Sequence, residues 1–336
     1  MKSERSFAKT MLSAALVCAC AFGASMSAAA QTTTQTLVIF PDQGFQPIYN
    51  LISAAKSTID MTMYELQDTT AQNLLCSAES SGVKVRVILD VNDEKSNNTA
   101  AYNQLTGCGV GVVWAYTKYE ATHEKSIVID GATANAQVAV MTANLTSRYY
   151  STTRDFAIIQ NNATDIAAIE ATFSKDYAHD SVTPSNGADL VWSPTNSQTS
   201  LLAIINNAQT SLLVENEEMS DTAIVDALED AAKAGVSVTV VMTNDDNEYK
   251  TEFNALQKAG VKISTYPDND TALYIHAKAI VADYGTSSAA AFVGSENFSS
   301  ASLTENRELG MTTTNSSILS QLESTMSSDY AGGTPW

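Results

Sequence analysis

Short apolar runs and amphipathic stretches alternate along the chain and predict strands and helices in turn. Runs rich in Val and Ile predict strands, and apolar residues three and four positions apart predict helices. Gly82 and Gly107 each follow a predicted helix as a helix-ending residue. In the first half, the predicted strands are 36–40, 59–64, 83–90, 110–115, 126–130 and 137–141, and the predicted helices are 45–55, 69–81 and 100–106. This alternation is typical of an α/β fold with a mixed, largely parallel sheet.

The second half of the chain repeats the first at a constant offset, without a gap from about residue 51 to residue 155. The pairs at this offset are Ala55 with Ala208, Gly82 with Gly235, Gly107 with Gly260, His123 with His276, Lys125 with Lys278, Asp130 with Asp283, Asn144 with Asn297, Arg154 with Arg307, and Asp155 with Glu308. Such a tandem duplication predicts two α/β lobes that pack face to face around pseudo-twofold symmetry. Segment 181–189 is the natural linker, so the expected domains are 31–185 and 186–336.

Residues 1–30 have the layout of a secretory signal peptide. Lys2, Arg5 and Lys9 form a basic start, an apolar run follows, and three alanines ending at Ala30 offer a cleavage site. The apolar run is short and rich in Ala, Ser and Gly for a membrane span, which leaves an uncleaved anchor as the alternative. We therefore expect this segment to be removed and the mature protein to be secreted or periplasmic.

Cys76 and Cys108 are the two cysteines left after that cleavage. In an exported protein an even pair is compatible with a disulfide, and two buried free thiols are the alternative. Neither cysteine has the spacing of a metal ligand, and the chain has 3 histidines. We therefore expect no metal and no cofactor.

Each repeat carries the pattern His-x-Lys-x-x-x-x-Asp, at residues 123–130 and 276–283. Because side chains alternate between the two faces of a strand, a histidine and a lysine two residues apart point the same way. The aspartate, at an odd spacing from the histidine, leaves that face or ends the strand. The candidate site residues are therefore His123, Lys125, His276 and Lys278, and the expected structural supports are Asp130 and Asp283.

A polar turn and a pair of arginine and acid follow each motif. The turns contain Thr142 and Asn144 in the first repeat and Ser295 and Asn297 in the second, and the acids are Asp155 and Glu308. The turns end a strand and offer hydroxyl and amide groups to an oxyanion. Thr142 and Ser295 are also expected to be structural supports. A carboxylate at this place can hold a histidine in one tautomer and stabilise its charged form. The sequence leaves open which carboxylate serves which histidine.

Two full motifs in one register, each with such a turn and an arginine-acid pair, resemble the phospholipase D superfamily over nearly all of residues 31–336. Stretches 40–42 and 216–219 also lie where bacterial members carry similar residues. The first repeat departs from the family pattern at Met141 and Thr142, where the family has Gly-Ser. Thr142 keeps the hydroxyl of the family serine, but Met141 is bulkier than the family glycine. The two halves of the site therefore need not be equivalent.

The resemblance implies a two-step displacement at phosphorus without a metal. One histidine attacks and forms a phosphohistidine, while the other protonates the leaving alcohol and then deprotonates water. The lysines and asparagines would neutralise the non-bridging oxygens in the transition state. From the resemblance we expect His123 to be the nucleophile and His276 the acid and base.

These features favour an exported phospholipase D that hydrolyses a phospholipid head group and contacts a membrane surface transiently, as a monomer. The formal net charge of −19 does not fit the basic surface of a nucleic-acid binder, so nucleic acid is the less favoured substrate. A secreted endonuclease with the same chemistry is the first alternative. The second alternative is a lipid-making transferase similar to the cardiolipin synthases. The non-enzymatic alternative is a protein that binds phosphorylated polymers without catalysis.

Overall fold

Strands and helices alternate through residues 33–336, which are the residues that the computed structural model describes. The strands are β1 (Gln35–Phe40), β2 (Thr58–Met63), β3 (Lys84–Leu89), β4 (Gly111–Trp114), β5 (Lys125–Ile129), β6 (Gln137–Met141), β7 (Thr153–Gln160), β8 (Leu190–Ser193), β9 (Ser211–Glu215), β10 (Ser237–Asn244), β11 (Lys262–Pro267), β12 (Tyr274–Ile275), β13 (Ala279–Ala282), β14 (Ala290–Gly294), β15 (Glu308–Thr313) and β16 (Thr334–Pro335). The signal peptide expected at residues 1–30 lies outside the described residues.

The helices connect these strands and flank the sheets. They are α1 (Gln46–Ala54), α2 (Thr69–Ser80), α3 (Lys95–Gly107), α4 (Ala163–Tyr177), α5 (Ser197–Asn207), α6 (Thr222–Lys233), α7 (Lys250–Ala259), α8 (Ser300–Thr304) and α9 (Ser316–Gly332). A 3₁₀ turn lies at Ser147–Tyr149. Within residues 33–336, none of the helices combines the length and the apolar character that crossing a bilayer requires.

Each repeat builds one mixed sheet. The first has the order β1-β7-β6-β5-β2-β3-β4, with β12 paired to β7, and the second has the order β16-β11-β10-β9-β13-β14-β15-β8. Strands β2, β3 and β4 are parallel neighbours, as are β9, β10 and β11, while the other neighbours along these two orders pair antiparallel. In the described chain, five strands of the first sheet point in the same direction, namely β1, β2, β3, β4 and β6. The same holds in the second sheet for β8, β9, β10, β11 and β14. The predicted α/β fold of two repeats is confirmed.

The two sheets share a core between them. Along β1, Leu37 and Ile39 point into this inner core, whereas Val38 and Phe40 point to the outer core beneath α1, α2 and α3, as alternation along a strand requires. Side chains of α4 and α9 also enter the inner core, and α5, α6 and α7 cover the outer face of the second sheet. The lobes therefore pack face to face, as the duplication predicts.

The helix predicted at 100–106 begins earlier, at Lys95. Polar residues fill its first turns and hide its periodicity. Asn98 is nonetheless fully buried, and its side chain accepts from Leu66 N at 2.8 Å and donates to Tyr64 O at 2.7 Å. A polar residue thus stands at a core-facing position because it satisfies backbone groups beyond the end of β2.

The arginine of each repeat ties that repeat to the other. Arg154 pairs with Asp329 at 2.6 Å and donates to Phe40 O at 2.7 Å. Arg307 pairs with Asp176 at 2.8 Å and donates to the backbone oxygen of residue 193. The partners of the two arginines are related by the same sequence offset as the arginines themselves, so the duplication reaches into the helices α4 and α9 that end each repeat.

Asp130 and Asp283 end strands β5 and β13 in the left-handed backbone region, with φ of 53° and 52°. The Asp130 carboxylate accepts the backbone N–H groups of residues 56–58, and the Asp283 carboxylate those of residues 209–211. Burial acts to raise the pKa of Asp283, but these hydrogen bonds lower it to about 2. Each aspartate thus anchors the start of the neighbouring strand, as befits a structural support.

Cys76 and Cys108 form a disulfide with their Cα atoms 5.6 Å apart. The bond joins helix α2 to the end of α3 on the outer face of the first sheet. Of the two alternatives that the sequence left open, the structure therefore shows the disulfide.

Replacing Asp283 by Asn should lower the free energy of unfolding at pH 7 by about 1–3 kcal/mol, because one amide oxygen replaces a carboxylate that serves three backbone donors. The pKa of Asp283 in the folded state lies below its unfolded value, so its contribution is present at neutral pH and disappears as the pH falls towards about 2. Urea denaturation at pH 7 and pH 3 measures both effects. Asp226→Asn, on the exposed face of α6, is the matched control. Equal losses for both variants would contradict the anchoring role.

Candidate active site

Each candidate histidine lies just before a strand of its own repeat and beside a strand of the other repeat. Thr122 forms a parallel bridge with Arg307, and Glu124 N donates to Arg307 O at 3.0 Å. In the same way β12 runs beside the start of β7, and His276 N donates to Arg154 O at 3.2 Å. Backbone pairing between the repeats therefore sets each histidine next to the arginine-acid pair of the other repeat.

The ring of each histidine is held by the carboxylate of the other repeat. His123 Nδ1 lies 2.7 Å from Glu308 Oε2, and His276 Nδ1 lies 2.8 Å from Asp155 Oδ1. Both carboxylates are buried. Since Nδ1 donates to the carboxylate, Nε2 is left for a substrate. This exchange of partners answers the question that the sequence left open.

The two lysines lie fully buried beneath the histidines. Lys125 Nζ donates to His123 O at 2.7 Å, and Lys278 Nζ donates to His276 O at 2.5 Å. Burial and the neighbouring Lys278 ammonium lower the pKa of Lys125 to about 7. An anion that binds here would favour the charged form of Lys125, so binding of a phosphate and protonation of this lysine should support each other.

His123 is held in its neutral form at physiological pH. Burial lowers the pKa of His123 to about 4, and the Glu308 carboxylate opposes this effect without overcoming it. A neutral imidazole with Nδ1 bound to a carboxylate has its lone pair on Nε2. His123 is therefore prepared to act as a nucleophile without first losing a proton.

One cavity of about 500 Å³ contains both histidines and both turn asparagines. His123, His276, Asn144 and Asn297 all line it, so the structure brings the two halves of the predicted site into one cleft. The Oδ1 atoms of the two asparagines are buried and have no hydrogen-bond partner among the described residues. Each of these oxygens is therefore an acceptor whose hydrogen-bonding capacity is unused among the described residues.

The hydroxyls of the two turns form hydrogen bonds with strands β7 and β15, which carry Asp155 and Glu308, and do not face the cavity. Thr142 Oγ1 donates to Asp155 Oδ1 at 2.5 Å and accepts from Phe156 N at 2.9 Å. Ser295 Oγ accepts from Leu309 N at 3.1 Å. Neither residue is among those lining the cavity, so the hydroxyls of Thr142 and Ser295 occupy supporting positions and do not face an oxyanion. They act as supports by fixing β7 and β15, and the asparagine amides remain the polar groups that face the cleft.

Glu217 is a site residue that lies in the stretch 216–219 but received no role from the sequence motifs. Its Oε2 lies 2.8 Å from Lys278 Nζ and 3.5 Å from His276 Nε2. Burial acts to raise the pKa of Glu217, but His276 and Lys278 lower it overall, so the carboxylate is charged. The offset between the repeats would have pointed to it, because Glu217 stands where the first repeat has Tyr64, just beyond a strand that ends at the cleft.

The arrangement can bind a phosphate and act on it from two sides. Two histidines and two asparagines line one cavity, and the two lysines buried beneath the histidines supply positive charge. Donors of this kind stabilise a pentacoordinate phosphorus because they face oxygens on which charge accumulates. Among the described residues, no group of three or more His, Cys, Asp or Glu side chains has an arrangement suited to a metal ion.

A sequence comparison with protein families gives two matches in this chain. The family described as "Cardiolipin synthase, PLD-like domain" matches residues 48–177 and again residues 201–330. Both matches fall within the predicted repeats, whose boundaries at 31–185 and 186–336 stay a prediction. No curated protein matches the chain.

Solved structures share the fold at low sequence identity. Phosphatidylserine synthase from Haemophilus influenzae is 12% identical with a TM-score of 0.69, over 90% of this chain and 87% of that one. Polyphosphate kinase from Porphyromonas gingivalis is 14% identical with a TM-score of 0.68, over 88% of this chain, which spans only 50% of the kinase. Yeast tyrosyl-DNA phosphodiesterase is 8% identical with a TM-score of 0.52, over 83% of this chain and 90% of that one.

Glu308→Gln should lower the pKa of His123 further, because the Glu308 charge acts to raise it. The loss of a fixed tautomer should also reduce turnover by roughly 100- to 10,000-fold. With 3 histidines in the chain, imidazole signals in NMR titrations can be assigned by single substitutions. Asp155→Asn is the matched control, since Asp155 holds the other histidine, and it should leave the His123 midpoint unchanged. A His123 midpoint that responds to Asp155→Asn and not to Glu308→Gln would contradict the exchanged pairing.

Proposed function

Since this chain belongs to the phospholipase D-like family, whose members act on phosphodiesters, we propose that it hydrolyses phospholipid head groups through a phosphohistidine. The observation that carries the proposal is the unequal environment of two histidines in one cavity. His123 is neutral by burial and has one carboxylate partner. Both ring nitrogens of His276 face carboxylates. An imidazolium has two donors, so His276 can hold a proton between two acceptors.

The first step forms the covalent intermediate. His123 Nε2 attacks phosphorus, the bond from phosphorus to the head-group oxygen breaks, and His276 gives its proton to that oxygen. Lys125 and Lys278 neutralise charge on the non-bridging oxygens, and the turn asparagines add amide groups. The head-group alcohol leaves, and His276 is now neutral.

The second step restores the enzyme. His276 takes a proton from water, the water oxygen attacks phosphorus, and the bond from phosphorus to His123 Nε2 breaks. The product is a phosphate monoester that carries the diacylglycerol. His276 is charged again and His123 is neutral, so each histidine returns to its starting form without an external proton carrier.

Charge around the cleft supports a lipid over a nucleic acid. Seven carboxylates line the cavity, belonging to Glu65, Glu94, Asp155, Glu217, Glu218, Asp268 and Asp270. Together with a formal net charge of −19, they repel a polyanion at long range. A single phosphodiester at a membrane surface brings only one negative charge into such a cleft.

Export from the cytoplasm is part of the proposal. It is supported by the signal-peptide pattern of residues 1–30 and by the disulfide between Cys76 and Cys108, since disulfides persist in oxidising compartments. A second candidate function is transfer of the phosphatidyl group to an alcohol in place of water. The description of the matching family as cardiolipin synthase favours this candidate.

The purified protein should release choline from phosphatidylcholine liposomes in excess EDTA and leave supercoiled plasmid intact under the same conditions. His276→Ala should reduce choline release by about 100- to 10,000-fold because the leaving alkoxide then lacks an acid. His179→Ala is the matched control, since this exposed histidine is not among the residues lining the cavity. Added glycerol separates hydrolysis from transfer, because a transferase would form phosphatidylglycerol. Plasmid nicking without lipid hydrolysis would overturn the proposal in favour of an endonuclease.

A further inference from the structure

The Glu217 carboxylate contacts the groups of the second repeat that are expected to bind a phosphate. Its Oε2 contacts Lys278 Nζ at 2.8 Å, His276 Nε2 at 3.5 Å and Asn297 Nδ2 at 3.5 Å. These are the histidine and the asparagine with which the second repeat lines the cleft, and the lysine buried beneath that histidine. Oε2 of Glu217 thus contacts the same groups to which an oxygen of a bound phosphate would bind. Its position is also fixed from the other side, because Tyr274 OH donates to Glu217 Oε1 at 3.1 Å.

The first repeat has no such carboxylate. Its residue in the same register is Tyr64, whose ring lies 4.9 Å from Lys125 Nζ and 4.5 Å from the His123 ring. One half of the cleft therefore offers an ammonium beside an aromatic ring, and the other half offers an ammonium already paired with a carboxylate. The two repeats have the same fold, so this difference comes from the side chains at one matched position, Glu217 and Tyr64, and not from the backbone.

A substrate phosphate and the Glu217 carboxylate compete for the same cations. When a phosphodiester binds to Lys278 and His276, Glu217 loses its partners while its side chain, which is 23% exposed, remains mostly shielded from water. A carboxylate left without a counter-charge in such a place is strongly unfavourable. A substrate that carries its own cation avoids this penalty, because its phosphate forms an ion pair with Lys278 and its cation forms an ion pair with Glu217.

We propose that Glu217 makes the cleft select phosphodiesters whose alcohol carries an ammonium group, by exchange of ion pairs with Lys278. This inference rests on the proposed function and specifies its substrate class as zwitterionic. Tyr274 lines the same cavity, and a tyrosine ring can bind a quaternary ammonium over its face. Asn297 adds a second observation, since this residue lines the cleft, is 4% exposed and has a buried Oδ1 without a partner among the described residues. An anionic or neutral alcohol would leave Glu217 unpaired and should bind more weakly.

Two small phosphate esters test this selection without any turnover. Phosphocholine and glycerol 3-phosphate carry the same phosphate, and only the first carries a cation. Calorimetry should show that the wild-type protein binds phosphocholine at least about tenfold more tightly than glycerol 3-phosphate. Glu217→Gln keeps the shape and removes the charge, so it should abolish this preference. It should also bind glycerol 3-phosphate more tightly than the wild type does, because the competing carboxylate is gone.

Glu94→Gln is the matched control for these measurements. Glu94 lines the same cavity and the substitution changes the net charge equally, but its hydrogen bond is to Asn97, outside the site. This variant should keep the wild-type preference for phosphocholine. If Glu217→Gln does not fold, Tyr274→Phe tests the same exchange, because it removes the hydroxyl that holds Glu217 Oε1. It should weaken the preference.

The outcomes separate this inference from the proposed function. An unchanged preference in Glu217→Gln, or an equal loss in Glu94→Gln, would overturn the inference and leave the phosphate site intact. Tighter binding of both esters with the preference retained would show that Glu217 only blocks the site, which also overturns the selection. A wild-type protein that binds neither ester would contradict the phosphate site itself and hence the proposed function.

Discussion

The hydrogen bond from each histidine to a carboxylate of the other repeat is the interaction on which the site depends. His123 is oriented by Glu308 and His276 by Asp155. Neither repeat contains a complete set, since each supplies a histidine with a lysine and receives the carboxylate that fixes the ring. Backbone pairing of β12 with β7, and of Thr122 with Arg307, brings these groups together. The shared core between the two sheets therefore has a direct chemical consequence, because it holds the histidines in one cleft.

The same scaffold produces two chemically different halves. In the second repeat, a Cβ on Gly294 would lie 2.3 Å from Glu296 Oε2, so the glycine leaves room for that buried side chain. The first repeat exchanges the sizes and has Met141 with Ala143 at these positions. Burial raises the pKa of Glu296, whose two oxygens have no partner among the described residues, so it packs there as a neutral acid. The departure from the family turn at Met141 is thus a change in packing that keeps the hydroxyl of the next residue.

Periodicity and the constant offset were enough to predict the repeats, the alternation of strands and helices, and the residues that meet in the cleft. They could not predict the exchange of carboxylates, because local patterns do not record which strand of the other lobe lies beside a histidine. The direction of the Thr142 hydroxyl depends on the same neighbouring strand. Helix α3 was predicted too short because Asn98 is a polar residue at a core position. Glu217 lies in the stretch 216–219 but received no role, because the first repeat has Tyr64 at the corresponding position and matched pairs alone indicate site residues in the sequence.

The central claim is that His123 carries the phosphoryl group while His276 handles protons, and trapping the covalent intermediate tests it most directly. The protein would be quenched during turnover of a p-nitrophenyl phosphodiester, whose leaving group needs little help from an acid, and peptides would be mapped by mass spectrometry under alkaline conditions. The account predicts phosphorylation of His123 in the wild type, continued labelling in His276→Ala because water then lacks its base, and no label in His123→Ala. A phosphoryl group found on His276, or labelling that survives His123→Ala, would contradict it.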